Sequence, residues 1–282
     1  MLVLLPPSEG KTAPEAGDAV DLAALTSPEL TEHRERVLDA LARVSARPDA
    51  LDVLHVGASL AEEVRRGATL RDQPAAPAAH VYTGVLYAAA GLASAHDDAT
   101  SDGASVAAPD VAERLRARLD DVRVVSALWG VVTPSDRIPA YRLSMGVDLP
   151  GVGPLARSWR EPLAKALDTR AVGDVVVDCR SATYAAAWRP PASAAHVPVT
   201  VLREHAGKRT VVSHHAKHTR GVLVGHLLRR EGEPPTTPEG LLDAARELVG
   251  TTVDRRRIAA AELVPGRRAG SSSLELVVVD AP

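Results

Sequence analysis

Aromatic residues are scarce in this sequence of 282 residues, which has three tryptophans, four tyrosines and no phenylalanine. Because 45% of the residues are hydrophobic, the chain can still bury a large core. That core must be built from valine, leucine and alanine, so the few aromatic side chains are expected at selected positions. Tyr82, Trp129, Tyr141 and Tyr184 all fall within the motifs described below, where they could stack on bases or pack with bonded hydroxyl groups.

Cysteine is almost absent as well, since Cys179 is the single one. One cysteine excludes an internal disulfide bond and a cysteine-based zinc site, and it suits a reducing cytoplasm. A lone cysteine in an apolar strand is usually a small buried hydrophobic residue, and that is the role expected here. A redox-reactive thiol is the alternative.

Long hydrophobic runs and an excess of positive charge are also missing. No apolar stretch approaches membrane-spanning length, and Met1 leads into an apolar segment without the basic region of a signal peptide. We therefore expect a cytoplasmic protein with no membrane partner. The net charge is −3, so any binding of nucleic acid would have to come from a local basic patch.

The opening stretch LPPSEGKT ends in the Gly-Lys-Thr of a phosphate-binding P-loop. Its first part does not fit, because Leu5 stands where the first glycine is required and the two prolines that follow lack an N–H group. The stretch is instead predicted to be a polar turn after a first strand, with Ser8, Glu9, Lys11 and Thr12 at the strand end. Ligands often bind at such ends in open α/β sheets.

Hydrophobic periodicity predicts an α/β protein with α+β character, formed as a single domain over residues 1–282 around a mixed β-sheet flanked by helices. Strands are predicted at 1–5, 122–130 and 174–181, a hairpin at 197–215, a closing strand at 271–282, helices at 28–46, 59–66, 111–119, 158–169, 216–231 and 241–250, and loops at 95–110 and 133–157. No internal repeat is present.

Four polar motifs follow predicted strands: PPSEGKT, SALWG, DCRS and SHHAKHTR. If these strands are neighbours with the same direction, their ends meet at one edge of the sheet and form an anion-binding site with internal carboxylates. The predicted binding residues are Lys11, Tyr141, Arg142, Arg180, Lys217 and Arg220, and the supporting polar residues are Ser8, Glu9, Thr12, Tyr82, Asp178, Ser181 and Tyr184. A buried ion-pair network that fixes the loops is the alternative.

The run His214-His215-x-x-His218 suggests metal binding, because His214 and His218 are four residues apart. That spacing aligns two ligands only on a continuous helix, whereas the predicted strand-to-helix transition falls among these residues. No carboxylate partner stands at a fixed spacing. We therefore predict no metal site here.

Several separated stretches, together with the tail SSSLELVV, resemble the YaaA family of bacterial peroxide-stress proteins along nearly the whole chain. They are MLVLLPPSEGKT at the start, VYTG at 81–84, SALWGVVTPSDRIPAYRLSMG at 126–146, VVVDCRSATY at 175–184 and VVSHHAKHTRG at 211–221. The resemblance implies a single α/β domain with a helix-hairpin-helix-like element on Gly130 to Arg142. It also implies a cytoplasmic protein without a cofactor that binds double-stranded DNA in a positively charged cleft and limits oxidative damage. The implied cleft residues are Lys11, Tyr141, Arg142, Lys217 and Arg220.

Two functions remain open at this point. A DNA-binding stress protein would neutralise backbone phosphates with lysine and arginine, so its binding would be salt-sensitive and sequence-tolerant. An enzyme would bind a nucleotide or another small anion in a pocket with the lysine pair Lys11 and Lys217. It would use these lysines, Glu9, Asp178 and the tyrosines for acid–base or covalent lysine chemistry. The resemblance favours DNA binding without catalysis. An open groove lined by arginine would support a duplex ligand, and a closed pocket over Lys11 and Lys217 would support a small one.

Overall fold

The valine- and leucine-rich segments pair as strands in the computed structural model, which describes residues 1–100, 109–212, 216–253, 255–266 and 271–281. In chain order the strands are β1 (Leu2–Leu5), β2 (Ala76–Pro77), β3 (Val122–Ser126), β4 (Gly130–Val132), β5 (Arg137–Ile138), β6 (Asp148–Leu149), β7 (Gly153–Pro154), β8 (Val175–Asp178), β9 (Ala195–His205), β10 (Lys208–Val211), β11 (Thr252–Val253), β12 (Arg256–Pro265) and β13 (Ser272–Asp280).

One mixed sheet with the strand order β11-β12-β13-β9-β8-β1-β3-β4 forms the centre of the molecule, and β10 pairs with β9 outside this order. Strands β13, β9, β8, β1 and β3 are parallel, and the outer strands β12, β11, β4 and β10 run antiparallel to their neighbours. Every residue of β1 and β8 is buried, as expected for parallel strands covered on both faces. The predicted mixed sheet is confirmed.

Helices cover this sheet. Those in the described residues are α1 (Thr31–Ser45), α2 (Ala50–Leu54), α3 (Ala61–Arg66), α4 (Ala78–Val81), α5 (Val85–Ala90), α6 (Leu92–Thr100), α7 (Pro109–Leu119), α8 (Leu155–Ser158), α9 (Arg160–Ala171), α10 (Ala182–Ala185), α11 (Ala216–Arg229) and α12 (Pro238–Arg246), with short 3₁₀ turns at Pro28–Leu30, Ala58–Leu60 and Gly67–Asp72. Among these described helices, none has the length and apolar character needed to cross a bilayer.

Two glycines hold α11 against α5. A Cβ atom at Gly221 would lie 2.3 Å from the carbonyl oxygen of Leu86, and one at Gly225 would lie 2.8 Å from that of Ala90. Both distances are shorter than a van der Waals contact, so only glycine permits this approach of the two helices. The packing fixes the start of α11, and with it Lys217, relative to the loop that follows β1.

Two predictions about local secondary structure need correction. The segment 95–110 was predicted to be a loop, but α6 continues to Thr100 because Ala95, His96 and Ala99 form a buried face; residues 101–108 lie outside the described part. The predicted strand 122–130 ends at Ser126, whose hydroxyl accepts the N–H groups of Leu128 and Trp129 and so stabilises a turn.

The helix-hairpin-helix-like element expected at Gly130 to Arg142 is not confirmed. These residues form β4, β5 and connecting loop, and none of them is helical. Gly130 begins β4 with a φ of 70°, and a Cβ atom at this position would lie 2.5 Å from the ring of Trp159, so Gly130 does not turn between two helices.

Candidate functional site at the carboxyl edge of the sheet

The ends of three neighbouring parallel strands bring the predicted motifs together. Strand β1 lies between β8 and β3, with Leu4 paired to Asp178 and Leu5 to Val124, so all three strands end at the same edge. Strand β10 runs antiparallel to β9, as predicted for the hairpin at 197–215, so the fourth motif does not follow a strand that has the direction of the other three. The start of α11 nevertheless reaches this edge, because Arg220 donates from Nε and Nη2 to the Val199 carbonyl at 2.9 and 2.7 Å.

The opening loop and the VYTG motif form one unit. Lys11 and Tyr82 make an antiparallel bridge, and the Thr12 amide donates to the Val81 carbonyl at 2.9 Å. The hydroxyl groups of Thr12 and Thr83 are 3.2 Å apart. The Ser8 hydroxyl accepts the Gly84 amide at 2.7 Å, and a Cβ atom at Gly84 would lie only 2.1 Å from this oxygen. Ser8 therefore holds the loop in place and requires glycine at position 84.

Lys11 lies in an environment that weakens its positive charge. Its Nζ donates to the Ser8 carbonyl at 2.6 Å and lies 4.5 Å from the centre of the Tyr141 ring. Burial and the neighbouring Arg142 guanidinium lower the pKa of Lys11 from 10.5 to about 7, although Glu63 and Glu9 act in the opposite direction. The amine is therefore close to half-protonated at neutral pH and can exchange a proton there.

A chain of three hydroxyl groups lies close to Lys11. The Ser126 oxygen accepts two backbone N–H groups, so its own proton is donated to Tyr141 Oη at 2.7 Å. Tyr141 Oη is also hydrogen-bonded to Tyr82 Oη at 2.9 Å, so the three hydroxyl groups form one continuous chain. Burial raises the pKa of both tyrosines. With exposures of 1% and 3%, these rings pack with bonded hydroxyls, the second of the two roles considered for them.

Two ion pairs link the loop region to distant parts of the chain. Arg142 donates from Nε to Glu63 at 3.0 Å, and its side chain is 16% exposed. Lys217 contacts Glu9 at 3.2 Å, with side chains that are 48% and 83% exposed. The second pair is solvated and therefore contributes little free energy, so Lys217 can exchange Glu9 for another anion at small cost.

A buried network holds the remaining cations. Arg180 donates from Nε and Nη2 to the two carboxylate oxygens of Asp178 at 2.9 and 2.8 Å, and from Nη2 to the Trp188 carbonyl at 3.0 Å. His196 Nε2 lies 2.9 Å from the same carboxylate. Burial alone would raise the pKa of Asp178, but the hydrogen bonds from Arg180 and His196 hold it well below its usual range.

The buried-network alternative therefore describes Arg180 and Asp178, and it extends to Arg220, which also donates to the Cys179 carbonyl at 3.4 Å. The guanidinium groups of Arg180 and Arg220 are bonded to protein acceptors. Ser181 is exposed ahead of α10 and makes no capping hydrogen bond. Burial raises the pKa of the half-buried Tyr184, against the effect of hydrogen bonds to Met145 and Ser144.

Two small cavities flank the opening loop. One of about 190 Å³ is lined by Pro6, Pro7, Glu9, Tyr87 and Lys217 among others. A second of about 110 Å³ is lined by Lys11, Glu63, Arg66 and Tyr141 among others. Both are smaller than a typical pocket for a drug-sized ligand, and each has the size of a phosphate or a small organic anion. Lys11 and Lys217 thus face neighbouring cavities rather than one closed pocket.

Four residues at this edge were not predicted from the sequence: Glu63, Arg66, Gly84 and Ser126. Gly84 and Ser126 lie within the VYTG and SALWG motifs, so the motifs themselves were the available signal. Glu63 and Arg66 belong to α3, where no local pattern separates them from ordinary charged residues on a helix surface.

In the histidine run, for which no metal site was predicted, His214 and His215 lie outside the described residues. His218 Nδ1 is buried and has no hydrogen-bond partner in the part of the chain that the structure describes. A different group of ligand atoms, from His80, His96 and Asp97, does converge on α4 and α6.

The chain is similar to known bacterial proteins over most of its length. A family model described as peroxide stress protein YaaA matches residues 1–247. A UPF0246 protein of Streptomyces coelicolor is 43% identical over 250 residues, which cover 88% of this chain and 90% of the relative. UPF0246 proteins of Corynebacterium efficiens and Corynebacterium glutamicum are 36% and 35% identical, over 90% and 83% of this chain and 95% and 87% of their own lengths.

Proposed function

This chain belongs to the YaaA family of peroxide stress proteins, and on that basis we propose that it binds double-stranded DNA in the cytoplasm through the carboxyl edge of its sheet. The cations that support this proposal surround the opening loop. They are Lys217, Arg142, Arg66 and the partly protonated Lys11. Arg180 and Arg220 were also predicted from the sequence, but they are left out because they donate to backbone carbonyl groups that are fixed in the fold. Arg142 is kept because its partner is the side chain of Glu63, which is 36% exposed.

The single observation that carries the proposal is the solvated pair between Lys217 and Glu9. An exposed ammonium group with a weak carboxylate partner gains by moving to a DNA phosphate, because binding also releases condensed counterions. About three fully charged cations predict a modest affinity without base recognition. The slope of log K against log salt would be about −2.7, so a fourfold rise in salt would weaken binding about 40-fold.

The test is the fluorescence anisotropy of a labelled duplex of mixed sequence at low salt, with the wild type and Lys217→Ala. Lys165→Ala is the matched control, because Lys165 is also an exposed lysine paired with a glutamate, at 2.8 Å, on α9. We expect weaker binding only for Lys217→Ala. Equal affinity of the two variants, or no binding by the wild type, would contradict the proposal.

A second function is favoured by the lowered pKa of Lys11. An amine close to half-protonated at pH 7, beside the tyrosine hydroxyl chain, is suited to acid–base or covalent chemistry on a small anionic substrate. Nucleotides and small organic anions would then raise the melting temperature of the wild type and of Lys217→Ala but not of Lys11→Met. Stabilisation of all three proteins to the same extent would exclude Lys11 as the binding group.

A further inference from the structure

Three side chains that take no part in the edge site bring metal-ligand atoms together. His80 Nε2 on α4 lies 2.8 Å from Asp97 Oδ1 on α6, and His96 Nδ1 lies 3.7 Å from the same oxygen. All three ligand atoms are within 4.8 Å of one another. The two imidazole rings are nearly perpendicular, with their centres 5.5 Å apart.

The buried side chain of His96 is an independent indication that a ligand binds between these three residues. The residue is 8% exposed, and its Nδ1 has no hydrogen-bond partner among the residues that the structure describes. Buried polar atoms in proteins are nearly always bonded, so an imidazole nitrogen left in this state requires an explanation. The nitrogen lies on the side of the ring that is near Asp97, where an added ion would satisfy it.

We propose that His80, His96 and Asp97 bind a divalent transition-metal ion. Two imidazole nitrogens and one carboxylate oxygen suit ions such as Zn²⁺ or Co²⁺, whereas Mg²⁺ and Ca²⁺ prefer oxygen ligands. Metal–ligand distances of about 2.0–2.1 Å in tetrahedral geometry place ligand atoms about 3.3 Å apart. The separation of His96 and Asp97 is close to this value.

The His80–Asp97 contact must lengthen by about 0.5 Å as the ion replaces the shared proton. Both of these side chains can move, since they are 38% and 58% exposed, while the buried His96 provides a fixed ligand. The exposed side of the group leaves room for water to complete the coordination. The metal site shares no residue with the proposed DNA-binding edge, so an experiment can contradict one of the two proposals without affecting the other.

The test is a titration of the metal-free full-length chain with Co²⁺, followed by its visible d–d absorption, and then displacement of Co²⁺ by Zn²⁺. We expect one Co²⁺ per chain, displaced by Zn²⁺ and not by Mg²⁺. His80→Ala and Asp97→Asn should each weaken binding at least about tenfold. Asp97→Asn keeps an oxygen acceptor for His80 and is therefore expected to preserve the fold, which circular dichroism would check.

Two control variants define the site. Glu247→Gln alters a comparable exposed pair, His226–Glu247 at 2.8 Å, which is not part of the three-ligand group. The double substitution His214→Ala/His215→Ala removes the histidine run of the sequence. Both controls should bind Co²⁺ like the wild type. Absence of Co²⁺ absorption, or its loss in a control rather than in His80→Ala and Asp97→Asn, would overturn the proposal.

Discussion

Replacing the half-buried Lys11 should change how the stability of this protein depends on pH. The pKa of Lys11 is about 7 in the folded chain and 10.5 in the unfolded chain. Between these values the unfolded chain binds more protons, so the free energy of unfolding rises with pH by up to about 1.4 kcal/mol per pH unit. Below pH 7 the full destabilisation by the buried ammonium is present, and it is relieved as the pH rises toward 10.5.

Lys11→Met keeps the apolar stem of the side chain and removes the titrating group. Between pH 7 and pH 10.5 the free energy of unfolding of the wild type should rise by up to about 5 kcal/mol relative to that of the variant. This is an upper value, because water screens a half-buried charge. The variant loses the hydrogen bond to Ser8, which lowers its free energy of unfolding by about 1 kcal/mol. Because it also loses the larger cost of the buried ammonium group, it should still be more stable than the wild type at pH 6.

Urea unfolding followed by circular dichroism at a series of pH values from 6 to 10 measures this difference. Lys165→Met is the control, since it removes an exposed lysine, and its stability should parallel that of the wild type. If the curve of Lys11→Met is also parallel to the wild type, Lys11 has an ordinary pKa and the account of its environment is wrong.

Three further predictions follow from buried contacts. Asp178→Asn leaves Arg180 buried without its carboxylate and should lower the free energy of unfolding by about 3–5 kcal/mol, whereas Asp243→Asn in an exposed pair should change it by less than about 0.5 kcal/mol in the same urea assay. Gly221→Ala places a Cβ atom 2.3 Å from the Leu86 carbonyl oxygen and should lower the free energy of unfolding by about 1–3 kcal/mol. Gly57→Ala is the control, because a Cβ atom there has no neighbour closer than 4.0 Å, and it should have little effect. Equal losses of stability in the two variants would refute the packing argument. Cys179 is fully buried and its pKa is raised to about 12, so a thiol reagent should modify it only as fast as the protein unfolds; rapid labelling of the folded chain would contradict this.

Much of the sheet could be predicted because its central strands are continuous apolar runs. VVVD and LVLL are buried on both faces, and such runs have few alternatives to a parallel strand. Strand β12 escaped prediction because its central AAAE sequence is as typical of a helix as of a strand. Its strand conformation is set by pairing with β13, which the local sequence does not reveal.

The convergence of the polar motifs at one edge of the sheet could be predicted, but the hydrogen-bond partners of their cations could not. Polar motifs at the ends of parallel strands indicate an edge site without any knowledge of side-chain contacts. Whether a guanidinium or ammonium group is free depends on partners far away in the chain. Arg142 meets Glu63 across 79 residues, and Lys217 meets Glu9 across 208. The environment of Lys11 likewise depends on Tyr141, which no spacing rule connects to it.

The central claim is that the loop after β1 binds DNA phosphates through Lys217 and its neighbours. It is tested most directly by the salt dependence of duplex binding for the wild type, Lys217→Ala and the control Lys165→Ala. Loss of one phosphate contact should make the slope of log K against log salt less negative by about 0.9 for Lys217→Ala and leave it unchanged for Lys165→Ala. Identical slopes for all three proteins would contradict the claim.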